Sequence, residues 1–245
     1  MAAIEGAGPI QTSMPASAPG GTPAIGSARV PTAILISGRG SNMVALLEAA
    51  RAPDFPAAIA LVLSNRADAG GLALAAAAGV PTAVVESRPF GRDRAAHEAA
   101  VQAVLEAHGI RLVCLAGYMR LLTPVLVGRW AGRMLNIHPS LLPAFPGLDT
   151  HARALAAGVR LHGCTVHQVT EEMDAGPILA QAAVPVLPGD TEAALAARVL
   201  AQEHRIYPAA LRAAAGGAVA CPEPAAALAN PLPSPPALST PPCQE

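Results

Sequence analysis

Apolar runs and helical patterns alternate along most of this 245-residue chain. "TAILISG" (32–38) is a near-continuous apolar run closed by glycine, which predicts a buried strand, and a helix follows from about Asn42 to Arg51. "AAIALVLSN" (57–65) predicts a second strand, and "GGLALAAAAG" (70–79) a helix closed by Gly79. "PTAVVE" (81–86), "RDRAAHEAAVQAVLEAHG" (92–109) and "IRLVCLAGY" (110–118) continue the rhythm as strand, long helix and strand. Strands without polar alternation, separated by helices, belong in a mostly parallel open sheet covered on both faces: an α/β, Rossmann-like architecture. Met134–Ile137 adds a short strand. "CTVHQVT" (164–170) and "ILAQAAVPV" (178–186) alternate instead, which predicts antiparallel edge strands near the C-terminal half. Residues 190–214 read as one long helix or a pair interrupted by Pro208.

The ends differ from this body. Residues 1–30 are rich in Gly, Ala, Pro and Ser without a sustained period, and residues 215–245 are rich in Pro and Ala. Both are expected to be disordered tails flanking one catalytic domain at 31–214, because such segments bury too little apolar surface to offset chain entropy.

Composition narrows the function. Apolar residues make up 52% of the chain but aromatics only 2%, so alanine-rich helices account for the hydrophobicity. No apolar run reaches the roughly 18 residues of a spanning helix, and the N-terminus lacks the pattern of a secretory signal. A net charge of -1 offers no footprint for nucleic acid or an anionic membrane. Cys114, Cys164, Cys221 and Cys243 form no C-x-x-C pair, which argues against structural zinc and fits a reducing cytoplasm. All 16 basic residues are arginine. Without lysine there is neither a Schiff-base nucleophile nor a standard P-loop.

The unusual polar residues cluster at predicted strand ends, where open α/β sheets bind ligands. "SGRGSN" (37–42) joins the first strand to the first helix, and its glycines and free helical N–H groups suit an anion, most often a phosphate. The third glycine of the dinucleotide fingerprint is absent, so a mononucleotide-like ligand is favoured over NAD; a plain turn capped by Ser41 or Asn42 is the bland alternative. "MLNIHPSLLPAFPG" (134–147) places Asn136 and His138 where a strand meets a proline-stiffened loop. An amide donor beside an imidazole suits acyl chemistry at a carbonyl, with Asn136 donating to a developing oxyanion and His138 moving a proton. An oriented histidine usually has a carboxylate; Glu171, Glu172 and Asp174 in "TEEMDAGP" are all candidates by spacing. No serine stands in a nucleophile elbow, so direct transfer is favoured over an acyl-enzyme. His151, His162 and His167 fit no zinc spacing, and no metal is expected.

Taken together, "SGRGSN", "LAGYMRLL", "NIHPSLLPAFPG", "HGCTVHQVTEEMDAGPI" and "AQEHRIYPAAL" resemble the phosphoribosylglycinamide formyltransferases, a folate-dependent family of purine biosynthesis. The resemblance spans about residues 32–212, in the family's order. The Asn-x-His-Pro-Ser-Leu-Leu-Pro stretch is shared with methionyl-tRNA formyltransferase and formyltetrahydrofolate deformylase, but those relatives would be expected to carry additional domains. The resemblance implies Asn136, His138 and Asp174 as catalytic residues, which selects Asp174 among the three acids. It implies Gly40, Ser41 and Asn42 as the phosphate loop for glycinamide ribonucleotide, and Glu203 at the ribose. It implies Met119, Arg120, Leu121 and Leu122, with Asn136, along the folate. A folate-contacting arginine falls on Arg88, Arg92 or Arg94, of which Arg94 is chosen. The implied co-substrate is 10-formyltetrahydrofolate, the partners are small molecules, and the expected assembly is a monomer or homodimer. Ala144 and Arg39 depart from the family pattern, where a basic residue and a small or polar one are usual.

Overall fold

Val30–Ile36 (β2) sits near the middle of an eight-stranded sheet in the computed structural model, which describes residues 29–217 and the backbone of Gln11–Ser13 (β1). The further strands are Ala57–Ser64 (β3), Thr82–Val84 (β4), Leu112–Leu115 (β5), Met134–His138 (β6), Leu161–Gln168 (β7) and Ile178–Pro185 (β8). Their spatial order is β1-β4-β3-β2-β5-β6-β7-β8. β4, β3, β2, β5 and β6 run parallel; β7 and β8 join antiparallel at one edge and β1 antiparallel at the other. The mostly parallel sheet with antiparallel C-terminal strands is the architecture that the hydrophobic pattern predicts.

The helices are Ser41–Ala49 (α1), Gly71–Ala77 (α2), Arg94–Ala107 (α3), Pro124–Arg129 (α4), Thr150–Ala156 (α5) and Glu192–Ala215 (α6). Because strand side chains alternate, β2 feeds two cores. Ile34 and Ile36 pack with Met43 and Leu46 of α1 and with Leu195, Val199 and Tyr207 of α6. Ala33 and Leu35 face the other way, onto Val101 and Leu105 of α3 and Leu126 of α4. Tyr207 is fully buried, and its hydroxyl lies 3.0 Å and 3.2 Å from the carbonyls of Leu115 and Leu135, which ties α6 to β5 and β6.

The structure adds three points to the pattern. α6 runs unbroken through Pro208, the single-helix option of the two left open. α4 and α5 are too short to show a helical period, and the pattern does not reveal them. Gln11–Ser13, inside the stretch expected to be a tail, pairs with Val84, Ala83 and Thr82. Arg29 likewise belongs to the body, its guanidinium donating to the carbonyls of Ala50 and Ala57. The remaining tail expectations, including Cys221 and Cys243, lie outside the described residues.

Candidate active site

The order of strands reverses between β2 and β5: from β2 the chain builds outward through β3 to β4, then returns to β5 on the other side. A crevice opens at the carboxyl ends where such a reversal occurs. Three segments leave the sheet there: 37–40 after β2, 116–123 after β5, and the proline-stiffened loop after β6.

The first segment is shaped by close backbone approach. Gly40 caps α1 in the left-handed region, φ 75°, and a Cβ there would stand 3.1 Å from Met43 Cε and 3.2 Å from Gly71 Cα. Gly71 donates its N–H to the Gly38 carbonyl at 3.0 Å, and a Cβ on Gly71 would meet Ile36 at 2.6 Å. Gly71 is thus a supporting residue that the sequence reading missed; its only signal was the Gly-Gly pair before α2. Neither Ser41 nor Asn42 caps α1 with its side chain, so the bland capping alternative fails. Asn42 instead donates from Nδ2 to Glu203 Oε2 at 2.6 Å, across 161 residues of sequence. Its Oδ1 is buried without a partner. Burial raises the Glu203 pKa, and the Asn42 N–H acts against that rise.

The second segment carries Met119 and Leu121, both more than 60% exposed although apolar. Leu122 packs against the α3 and α4 core, and Arg120 keeps a buried Nη2 without a partner. Arg88, Arg92 and Arg94 are all exposed, on the short 3-10 turn Arg88–Phe90 and at the start of α3.

The third segment gathers a cluster of buried polar side chains. His138 Nδ1 lies 3.5 Å from Asp174 Oδ2, and both side chains are over nine-tenths buried. His138 Nε2 is 3.0 Å from the Phe145 carbonyl, which only accepts, so Nε2 carries a proton. The same Asp174 Oδ2 accepts the Gly147 N–H at 2.8 Å. Its backbone is left-handed, φ 56°, a conformation that Asp tolerates better than most residues. Glu171 and Glu172 are exposed. Asn136, His138 and Asp174 thus lie in one cluster, with His167 between Asn136 and Asp174.

The structure also adds His167, which the sequence reading weighed only as a metal ligand. Antiparallel register sets His167 opposite Asn136, with Asn136 Nδ2 3.2 Å from His167 Nε2. His167 Nδ1 bonds the Gln168 carbonyl at 2.9 Å, so Nδ1 bears the proton and Nε2 accepts from the amide. Burial lowers the His167 pKa, opposed by the Gln168 carbonyl and Asp174, and this favours the neutral ring that the arrangement needs. One Asn136 N–H is thereby taken, and the second remains for a ligand. Behind the loop, His151 and His162 pair at 3.2 Å, and burial pushes the His162 pKa down to about 4. Among the described residues no group of three or more His, Cys, Asp or Glu is gathered as metal ligands, and no helix is long and apolar enough to cross a membrane.

Comparison with known proteins gives this geometry a family. Residues 30–211 match the formyl transferase family. The phosphoribosylglycinamide formyltransferase of Escherichia coli is 46% identical over 175 residues, covering 71% of this chain and 82% of that protein. The trifunctional purine biosynthetic protein adenosine-3 of Gallus gallus is 50% identical over 191 residues, covering 78% of this chain but only 19% of that much longer protein. Among solved structures, phosphoribosylglycinamide formyltransferase from Brucella melitensis superposes with a TM-score of 0.73 at 59% identity, covering 77% of this chain and 97% of that one. A match that runs through every segment of the site, together with relatives of like length, makes this chain a member of the formyl transferase family, in its phosphoribosylglycinamide formyltransferase branch.

Proposed function

We propose that this enzyme transfers the formyl group of 10-formyltetrahydrofolate to the amine of glycinamide ribonucleotide. The observation that carries the reading is the joining of Asn136, His138 and Asp174 at the strand ends, beside an anion-suited helix start. The phosphate sits on Gly40, Ser41 and Asn42, where the first N–H groups of α1 lack helical partners. Glu203, held by Asn42, accepts from the ribose. The pterin lies along residues 119–122, where the exposed Met119 and Leu121 give it an apolar border. Of the three candidate arginines, Arg94 is assigned to the folate.

The chemistry follows from those positions. The amine attacks the formyl carbon, forming the new C–N bond while the carbonyl oxygen turns negative. Asn136 donates its second N–H to that oxygen, the first being held by His167. The bond from carbon to the folate nitrogen then breaks, and the proton lost by the amine passes to that nitrogen by way of His138 Nδ1, the ring nitrogen left unprotonated by the Nε2 bond to Phe145. Asp174 orients the imidazole and balances its charge while it carries the proton.

The test is a folate-linked absorbance assay with a 10-formylated folate, with and without glycinamide ribonucleotide. Release of tetrahydrofolate only when the amine is present is the expected result. Release with water alone points to a deformylase. Absence of any folate turnover overturns the reading in favour of nucleotide binding at Gly38–Asn42.

A further inference from the structure

Residues 116–123 have no regular structure, yet they carry the exposed apolar side chains assigned above to the folate. What holds such a strap is therefore a question about the site. At its far end the Thr123 N–H donates to Glu98 Oε1 at 2.7 Å, and the Thr123 hydroxyl donates to Glu98 Oε2, a carboxylate buried on α3. At its near end the pin is Ser37, the residue between β2 and the glycine loop. Ser37 donates its N–H to the Gly117 carbonyl at 3.1 Å. Its hydroxyl accepts the Met119 N–H at 2.8 Å.

The direction of that second bond is enforced from behind. Ser37 has one hydroxyl proton, and it goes to Asn65 Oδ1 at 2.5 Å. Asn65 then has its Nδ2 free to donate to Ser87 Oγ at 3.3 Å, while the Asn65 backbone carbonyl accepts the Ser87 N–H at 3.2 Å. All three residues are more than nine-tenths buried. The chain crosses the carboxyl ends of β2, β3 and β4 and ends at the amide of Met119. An apolar core would pack these strand ends without it, and a buried polar chain is stable only when every member is satisfied. Its output is one oriented lone pair, aimed at the strap.

We infer that Ser37, oriented through Asn65 and Ser87, is a positioning residue that fixes the folate-bordering strap relative to the glycine loop. It touches no reacting atom. The inference rests on the reading that the strap borders the folate. Ser37→Ala is expected to raise KM for the formylated folate about 3- to 10-fold, the range of one lost neutral hydrogen bond, while kcat and KM for glycinamide ribonucleotide stay within about twofold. The effect should weaken along the chain, from Ser37→Ala to Asn65→Ala to Ser87→Ala. The Ser37→Ala, Asn65→Ala double variant should add little to the larger single effect, because both break the same chain.

The experiment combines these kinetics with amide exchange at Met119 and titration of the wild type with an unreactive folate analogue. Loss of Met119 protection alongside the folate-specific KM rise supports the inference. Variants that lower thermal stability but leave KM for folate unchanged overturn it, as do equal losses in all kinetic parameters. If Ser37→Ala does not fold, Ser87→Ala, at the end farthest from the strap, carries the same test with a smaller expected shift. A wild type that binds no folate analogue overturns the functional reading, and this inference with it.

Discussion

Around β2 the anion-suited loop is shaped by backbone, whereas from β6 to β8 the polar cluster is built from side chains. In the parallel half, Gly40 and Gly71 let main chain approach main chain, and a helix start presents its N–H groups. In the antiparallel half, cross-strand register places Asn136 beside His167, and a left-handed turn brings Asp174 to His138. On the proposed function, the division has a physical reason. Binding a phosphate needs several donors at fixed spacing, which backbone supplies cheaply. Moving a proton and holding an oxyanion need groups of chosen acidity and reach, which only side chains supply. Damage to the two halves should therefore read out in different kinetic parameters.

The largest effect is expected from Asn136→Ala. Losing one oxyanion donor raises a barrier by about 2.7–4 kcal/mol, so kcat should fall roughly 100- to 1000-fold. KM for glycinamide ribonucleotide should change little. Steady-state kinetics decide it, and a variant keeping more than about a tenth of parental turnover would remove the oxyanion role.

Gly176→Ala should come next, although Gly176 touches no substrate. A Cβ there would stand 1.8 Å from the Gln168 carbonyl oxygen, so backbone has to move. Gly176 lies two residues after Asp174, and the Gln168 carbonyl is also the acceptor that fixes His167. A displacement near 1 Å at a reacting group costs on the order of 100-fold in rate. The expected outcome is that loss in kcat together with a lower thermal midpoint. Normal kcat in this variant would show that the Asp174 turn can relax without leaving His138.

Gly40→Ala probes the other half. Left-handed backbone costs a non-glycine residue roughly 1–2 kcal/mol, and the added methyl presses on Met43 and the Gly71 backbone. KM for glycinamide ribonucleotide should rise roughly tenfold with kcat nearly retained. If kcat fell as far as it does for Asn136→Ala, the division between backbone binding and side-chain catalysis would be wrong.

The same division explains what could be read from the sequence. Gly38, Gly40 and the strand before them are neighbours in the chain, so an apolar run followed by glycines revealed that loop directly. Asn136 and His138 were legible because both stand on one short strand before a proline. Asp174 was legible only as one of three acids, because spacing does not say which loop residue turns inward; resemblance to a family chose it, and the left-handed turn shows how it gets there. His167 was missed as a partner of Asn136, since that contact depends on antiparallel register between strands whose pairing the chain order does not state. Gly71 and the Ser37–Asn65–Ser87 chain were missed for the same reason: each is ordinary locally and acquires meaning from what packs against it. β1 escaped because three residues cannot establish a period.

Glu203 gives the smallest effect and links the binding half to stability. Burial raises its pKa in the folded chain, and the Asn42 N–H offsets part of that rise. A raised carboxylate pKa means that the folded chain holds this proton more tightly than the unfolded chain does. The favourable contribution is therefore fully present below the unfolded pKa and is lost as pH rises through the folded one. Glu203→Gln removes the charge but keeps an oxygen that can accept from Asn42. Its thermal midpoint should equal that of the parent at pH values below the ordinary carboxylate range, then exceed it by a margin that grows toward neutral pH. A margin independent of pH would show that Glu203 titrates alike in both states. The same variant should bind glycinamide ribonucleotide more weakly, because a neutral amide is a poorer acceptor for a ribose hydroxyl than a carboxylate. A more stable chain with weaker substrate binding is what a buried carboxylate kept for its ligand should produce.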